Sequence, residues 1–193
     1  MAMITADPKD VPQVASFACT PDTMAKVNEL IANYPPGRQA SAVIGVLDLA
    51  QRQQGWLPRV AMNEVARLLD MAPIRVYEIA TFYTMFQLKP KGRYLLQVCT
   101  TTPCWLRGSD EVMKACQHAA DGEIFSVQEV ECLGACVNAP VVQINDDFYE
   151  DLDPASLKKV LDAFRRGEVP KPGPQVDRQA SAPEGGPTTL RSE

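Results

Sequence analysis

Two close cysteine pairs stand out in the chain, Cys99-Thr-Thr-Thr-Pro-Cys104 and Cys132-Leu-Gly-Ala-Cys136. Their spacings are C-x4-C and C-x3-C. Thiolates are metal ligands and redox groups. A [2Fe–2S] core takes two thiolates on each iron, so two loops that each bring two sulfurs satisfy it directly. Cys99, Cys104, Cys132 and Cys136 are therefore the candidate ligands of one [2Fe–2S] cluster. A structural zinc site is the nearest competitor, though its pairs are usually C-x2–4-C and often include His. A thioredoxin-type dithiol wants C-x-x-C, which is absent. Four unrelated core cysteines remain a further reading, since free Cys is often buried.

The neighbours of the pairs carry expectations of their own. Cys104 falls near a helix start, where the positive end of the dipole favours thiolate. Gly134 lets the backbone turn tightly between Cys132 and Cys136, with N–H groups free to bond sulfur. Val98, Leu133, Ala135, Val137 and Trp105 are expected to exclude water. The remaining cysteines read as unconnected with the site. Cys116 lies on the apolar face of its helix and reads as core. Cys19 reads as a free thiol. His118 falls on the polar face of the same helix as Cys116 and is no candidate ligand.

Two groups of elements must position these residues. Thr20-Pro21 is a helix start, with Thr20 as N-cap. Met24, Val27, Leu30 and Ile31 continue it at helical spacing. Tyr34-Pro-Pro-Gly37 ends that helix. A second helix is predicted from about 39 to 54, closed by Gly55. A third begins at Pro58, and a fourth covers about 73–86. Residues 20–88 thus read as a helical domain behind an irregular segment, 1–19. Met62, Met71, Tyr83, Met85 and Phe86 could serve either as core or as a partner-binding face. After Pro90-Lys-Gly92 the pattern changes. Strands are predicted over 94–99 and 124–130, joined by a helix from about 104 to 120. A hairpin over 141–149 and a helix over 154–166 follow. This order gives a sheet with helices packed on it over 89–167. Each cysteine pair then lies at a strand end. The tail, 168–193, is poor in large apolar residues and reads as disordered. Truncation after Gly167 is expected to leave the metal site unchanged.

Composition limits the function classes. Of 193 residues, 46% are hydrophobic and 22% charged, and the formal net charge is -5. That is ordinary for a soluble globular protein. An acidic chain with no basic run is a poor nucleic-acid binder. No apolar run nears the roughly 20 residues of a membrane helix, so no direct membrane insertion is expected. The first ten residues have neither a signal peptide's h-region nor a transit peptide's arginines, which reads as cytosolic and bacterial. In a reducing compartment, clustered cysteines point to metal or redox work.

Taken together, Cys99-Thr-Thr-Thr-Pro-Cys104, Glu131-Cys-Leu-Gly-Ala-Cys-Val-Asn-Ala-Pro140 and Tyr149-Glu-Asp-Leu152 closely resemble the thioredoxin-like [2Fe–2S] subunits of NADH:quinone oxidoreductase, respiratory complex I. Gln54-Gly-Trp-Leu-Pro58 and Tyr77-Glu-Ile-Ala-Thr-Phe-Tyr83 agree. The resemblance spans about residues 20–166. It implies an α+β chain, with an N-terminal helical bundle followed by a thioredoxin-like α/β [2Fe–2S] domain. It implies the four cysteines as cluster ligands, and a flavin- and NADH-binding partner that holds FMN. It also implies further peripheral-arm subunits and a place on the cytoplasmic side of a bacterial inner membrane. Accessory subunits of NAD-linked formate dehydrogenases and hydrogenases share the motif. The chain carries no G-x-G-x-x-G and no P-loop, which fits a subunit that is not catalytic alone.

Overall fold

The computed structural model describes residues 11, 12, 14–183, 185, 186 and 189. The first ten residues of the irregular segment and the last few of the tail lie outside the described residues. The chain divides into two compact units between Pro90 and Lys91.

The first unit is built from four α-helices. They are α1 (Pro21–Ala32), α2 (Val43–Gln54), α3 (Arg59–Leu68) and α4 (Pro73–Phe82), with a 3-10 turn, Gln39–Ala42, before α2. Thr20 caps α1 by accepting the Thr23 N–H at 3.2 Å. Val27, Val46, Leu47, Leu57, Val65, Leu69 and Val76 form the centre of its core. The predicted fourth helix stops four residues early, at Phe82. Tyr83 turns extended, and Phe86, 4% exposed, folds back into the core. The Gln51 amide holds this segment, giving a bond to the Met85 carbonyl and taking one from the Gln87 N–H. Met62 and Met71 pack partly buried against the core, while Tyr83 and Met85 stay exposed.

The second unit is a five-stranded sheet with helices. Its strands are β1 (Tyr94–Cys99), β2 (Phe125–Val130), β3 (Val142–Ile144), β4 (Asp147–Glu150) and β5 (Gly173–Pro174), in the order β2-β1-β3-β4-β5. β1 pairs parallel with β2, with Cys99 opposite Val130. It pairs antiparallel with β3, and β3 with β4. A parallel pair needs a crossover, supplied here by α5 (Thr102–Leu106) and α6 (Ser109–Ala119). The single helix predicted from about 104 to 120 is thus two, broken at Gly108. That residue sits at φ 94°, a conformation that favours glycine and ends a helix. α7 (Pro154–Arg165) completes the unit, opened by a reciprocal Asp153–Ser156 cap.

Successive residues of a strand face opposite ways. Tyr94, Leu96 and Val98 join Phe125, Tyr149, Val112 and Cys116 of α6, and Leu157, Leu161 and Phe164 of α7, in the main core. Burial pushes the Cys116 thiol up to about 12, which keeps it a neutral core residue. Cys99 belongs to a second, smaller cluster with Cys104, Ala139 and Val141.

The tail departs from expectation. Residues 173–174 add β5 to the edge of the sheet beside β4. Beyond it, Arg178 makes a buried ion pair with Asp151 at 2.6 Å. Tail composition is a poor guide here, because edge pairing uses backbone groups that any sequence carries.

Candidate iron–sulfur centre

β1 delivers Cys99 to its C-terminal end, and one turn later α5 delivers Cys104 as its third residue. Both are buried, at 2% and 1% exposure. The Cys99 N–H donates to the Val141 carbonyl at 3.2 Å, tying the strand end to the chain entering β3. Leu133, Ala135 and Phe148 pack around this cluster.

The loop after β2 brings Cys132 and Cys136, both exposed. Their sulfurs lie 3.4 Å apart. Gly134 makes this possible with φ 81°, and its N–H points at the Cys132 sulfur at 3.4 Å. Leu133 and Ala135 of the same loop pack against Cys99 and Cys104, so the two pairs converge. The two stretches of sequence form one site.

The environment sets Cys99, Cys104 and Cys136 apart. Burial would raise the Cys99 thiol, but the N–H groups of Leu133 and Thr101 and the side chains of Cys104 and Thr101 bring it below the ordinary value. Cys104 goes the other way, pushed up to about 12 by burial first and then by its bond to Cys99. The helix-dipole expectation for Cys104 is corrected by this. α5 is five residues long, and burial and the neighbouring Cys99 thiol lead the causes acting on Cys104. Cys136 is also raised, by Cys132 first, then burial, with Cys99 contributing. Thiols crowded in this way resist losing their protons together unless a cation takes their place.

Those features suit an iron–sulfur core. The sulfurs stand as two pairs, which is what two irons require. The Thr101 hydroxyl is buried without a hydrogen-bond partner, although it lies close enough to Cys99 to lower its thiol. It faces Cys99 without completing a hydrogen bond, as a donor awaiting a more negative sulfur would.

The apolar shield differs from the sequence reading. Val98 lies on the opposite face of β1, in the main core, because strand side chains alternate. Trp105 and Val137 are 56% and 70% exposed and do not cover the site. Leu133 and Ala135 do pack there, joined by Val141, Ala139 and Phe148, which sequence reading missed. Val141 and Phe148 carry no local signal, because sheet pairing brings them there: Val141 accepts from the Cys99 N–H, and Phe148 lies on β4 beside β3.

Residues 27–165 match the model of the thioredoxin-like [2Fe-2S] ferredoxin family. The NADH-quinone oxidoreductase E-subunit of Rickettsia bellii is 51% identical over 162 residues, covering 79% of this chain and 97% of that one. An NADH-quinone oxidoreductase E-subunit of Rhizobium meliloti is 48% identical over 195 residues, covering 95% of this chain and 71% of the relative. A chain of an NAD+-reducing [NiFe]-hydrogenase in the H2-reduced state shares the fold at TM-score 0.55 and 22% identity. It covers 65% of this chain and 23% of that one. A sequence about half identical to these E-subunits, folding so that two cysteine pairs converge, belongs to the thioredoxin-like [2Fe-2S] ferredoxin family of NADH-quinone oxidoreductase.

Proposed function

We propose that this chain is an electron-transfer subunit of an NADH:quinone oxidoreductase. In this reading Cys99, Cys104, Cys132 and Cys136 hold one [2Fe–2S] cluster that exchanges single electrons with the FMN of an NADH-binding partner. The observation that carries it is the convergence of two cysteine pairs, with Leu133 and Ala135 of the Cys132–Cys136 loop packed against Cys99 and Cys104. The family and the E-subunit relatives support the same reading.

When bound, the cluster supplies one-electron redox chemistry. The chain's own residues set its conditions. Cys99 and Cys104 anchor one side in an apolar pocket, and Val141, Ala139 and Phe148 keep water from it. N–H groups of Thr101, Leu133 and Gly134 face sulfur and stabilise its negative charge, a means of tuning potential. Cys132 and Cys136 form the open side, and Trp105, Leu106 and Val137, which follow Cys104 and Cys136 in the chain, are exposed as well. Short distances favour electron exchange, so this open side is where a redox partner approaches.

In the helical unit, the exposed Phe82, Tyr83 and Met85 at the end of α4 are proposed to touch the flavin subunit. Phe86, a candidate for that face by sequence, is core. Further peripheral-arm subunits complete the assembly, on the cytoplasmic side of a bacterial inner membrane. No helix among the described residues is long and apolar enough to cross a membrane.

Reductive titration followed by EPR tests the reading. The purified chain should show a [2Fe–2S] signal on reduction, with about two irons and two sulfides per chain. A colourless protein containing zinc would sink it. Co-purification separates a quinone-reducing complex from a formate dehydrogenase or hydrogenase assembly.

A further inference from the structure

The tail after α7 reads as dispensable by composition, yet it carries the most heavily bonded side chain near the site. We propose that residues 173–182 form a strap that positions the Cys136 loop, with Arg178 as its positioning residue. This rests on Cys136 being a cluster ligand.

The Arg178 side chain is 7% exposed and that of Asp151, its partner, 8%. Nε donates to Asp151 Oδ2 at 2.8 Å, and Nη2 to Oδ1 at 2.6 Å. This is a two-pronged fit that a planar guanidinium makes and an ammonium cannot. The same Nη2 donates to the Val137 carbonyl at 3.2 Å and to Asn138 Oδ1 at 2.5 Å. Val137 and Asn138 follow Cys136 in a single 3-10 turn. The buried Asn138 amide then bonds Glu150 on β4 and the Ala180 carbonyl of the strap itself. Asp151 closes the ring, its N–H donating to the Asn138 carbonyl at 2.7 Å.

The strap is anchored at its near end as well. β5 pairs with Tyr149 and Glu150, and the Gln175 N–H donates to the Glu150 carbonyl at 3.0 Å. The Tyr149 hydroxyl donates to the Pro170 carbonyl at 3.0 Å. Inside its own loop, Cys136 is followed by two short turn bonds, Asn138 to Ala135 and Ala139 to Cys136, and the chain after β4 adds a bond from the Leu152 N–H to the Pro140 carbonyl. A solvated surface arginine would need none of this. A guanidinium held this far from water fixes whatever it bonds, and here it bonds the residue beside Cys136. The family match ends before this segment begins, so nothing in that match assigns it a role.

The test uses the full chain loaded with iron and sulfide. Bleaching of its visible absorption by a chelator gives cluster lifetime, and EPR gives the line shape. Arg178→Ala should shorten the lifetime about ten- to a hundred-fold, the range that outer partners of metal ligands carry. It should also shift the EPR spectrum. Truncation after Gly167 should reproduce both effects. Arg178→Lys keeps the charge without the fork and should recover only part of the lifetime.

A double variant, Arg178→Ala with Asp151→Asn, removes the stranded carboxylate. If it restores wild-type lifetime, Arg178 merely neutralises Asp151 and the positioning role is overturned. Unchanged lifetime and EPR spectrum in folded Arg178→Ala overturn it as well. Should that variant not fold, unchanged lifetime in Arg178→Lys does the same. Wild-type chain that takes up no cluster defeats the functional reading instead. The strap is then read from hydrogen exchange in the metal-free chain. The Asn138 and Ala139 amides should exchange faster in the Arg178 variants, and equal rates would overturn the proposal.

Discussion

The sulfurs of Cys132 and Cys136 lie 3.4 Å apart on exposed residues, whereas Cys99 and Cys104 are all but sealed from solvent. The site is therefore lopsided, with one buried pair and one open pair. Serine in place of an exposed cysteine has room to adjust, and an oxygen or water is at hand as a substitute ligand. Cys132→Ser and Cys136→Ser should retain iron and sulfide with an altered visible spectrum. Cys99→Ser and Cys104→Ser should fail to assemble a cluster, since a buried hydroxyl there has no solvent to help it. Iron and sulfide analysis of the four variants distinguishes these outcomes. Equal loss in all four would show that the lopsidedness does not matter.

Docking of the helical unit gives a second prediction. Phe82 is 76% exposed at the end of α4, and Met85 is 45% exposed. Phe82→Asp should weaken co-purification with the flavin subunit while leaving the thermal unfolding of the free chain nearly unchanged. Surface substitutions of this kind usually alter stability by less than about 0.5 kcal/mol. Intact co-purification would remove α4 from the interface.

The cap of α7 gives a third. Asp153 accepts the Ser156 N–H at 2.6 Å, and the Ser156 hydroxyl accepts the Asp153 N–H in return. The Ser156 N–H and hydroxyl hold the Asp153 carboxyl below its ordinary value. A depressed carboxylate contributes stability that is present above its unfolded value of about 3.9 and is lost as pH falls through its folded one. Asp153→Ala should cost about 1 kcal/mol at neutral pH, and the difference should shrink below about pH 4. Asp153→Asn keeps the cap without the titration. Urea melts at several pH values check both.

A fourth concerns the entry to β1. A Cβ on Gly92 would sit 3.0 Å from the Ile124 carbonyl carbon and oxygen. The neighbouring Arg93 and Tyr94 N–H groups bond Glu123 and Ile124, so the two backbones cannot separate freely. Gly92→Ala should destabilise the second unit on the order of 1–3 kcal/mol, as overpacking does. Urea unfolding of the metal-free chain measures it, and an unchanged midpoint would show that the strand entry yields.

How much of this is legible in the sequence varies by element. The α1 start at Thr20, the two long strands, the hairpin and the α7 boundary follow from local pattern and caps. The two cysteine pairs are legible as candidate ligands too, because metal chemistry depends on residue type and spacing. Helix ends are less legible. Phe86 leaves α4 because the core has room for its ring and Gln51 can take the freed backbone groups. Neither cause lies within the helix itself.

The sequence by itself determined that two thiol pairs exist, that each follows a strand, and that no nucleotide motif accompanies them. Only tertiary structure decided which pair is buried, that Val98 faces away, and that Leu133 and Ala135 pack on Cys99 and Cys104. It also brought Arg178 of the tail to Val137, beside Cys136, across 41 residues of sequence. The physical reason is the same throughout. Spacing and capping act over a few residues, whereas burial and hydrogen-bond partners come from sheet pairing between distant segments. A lone arginine among prolines and glycines gives no sign of the carboxylate it will meet.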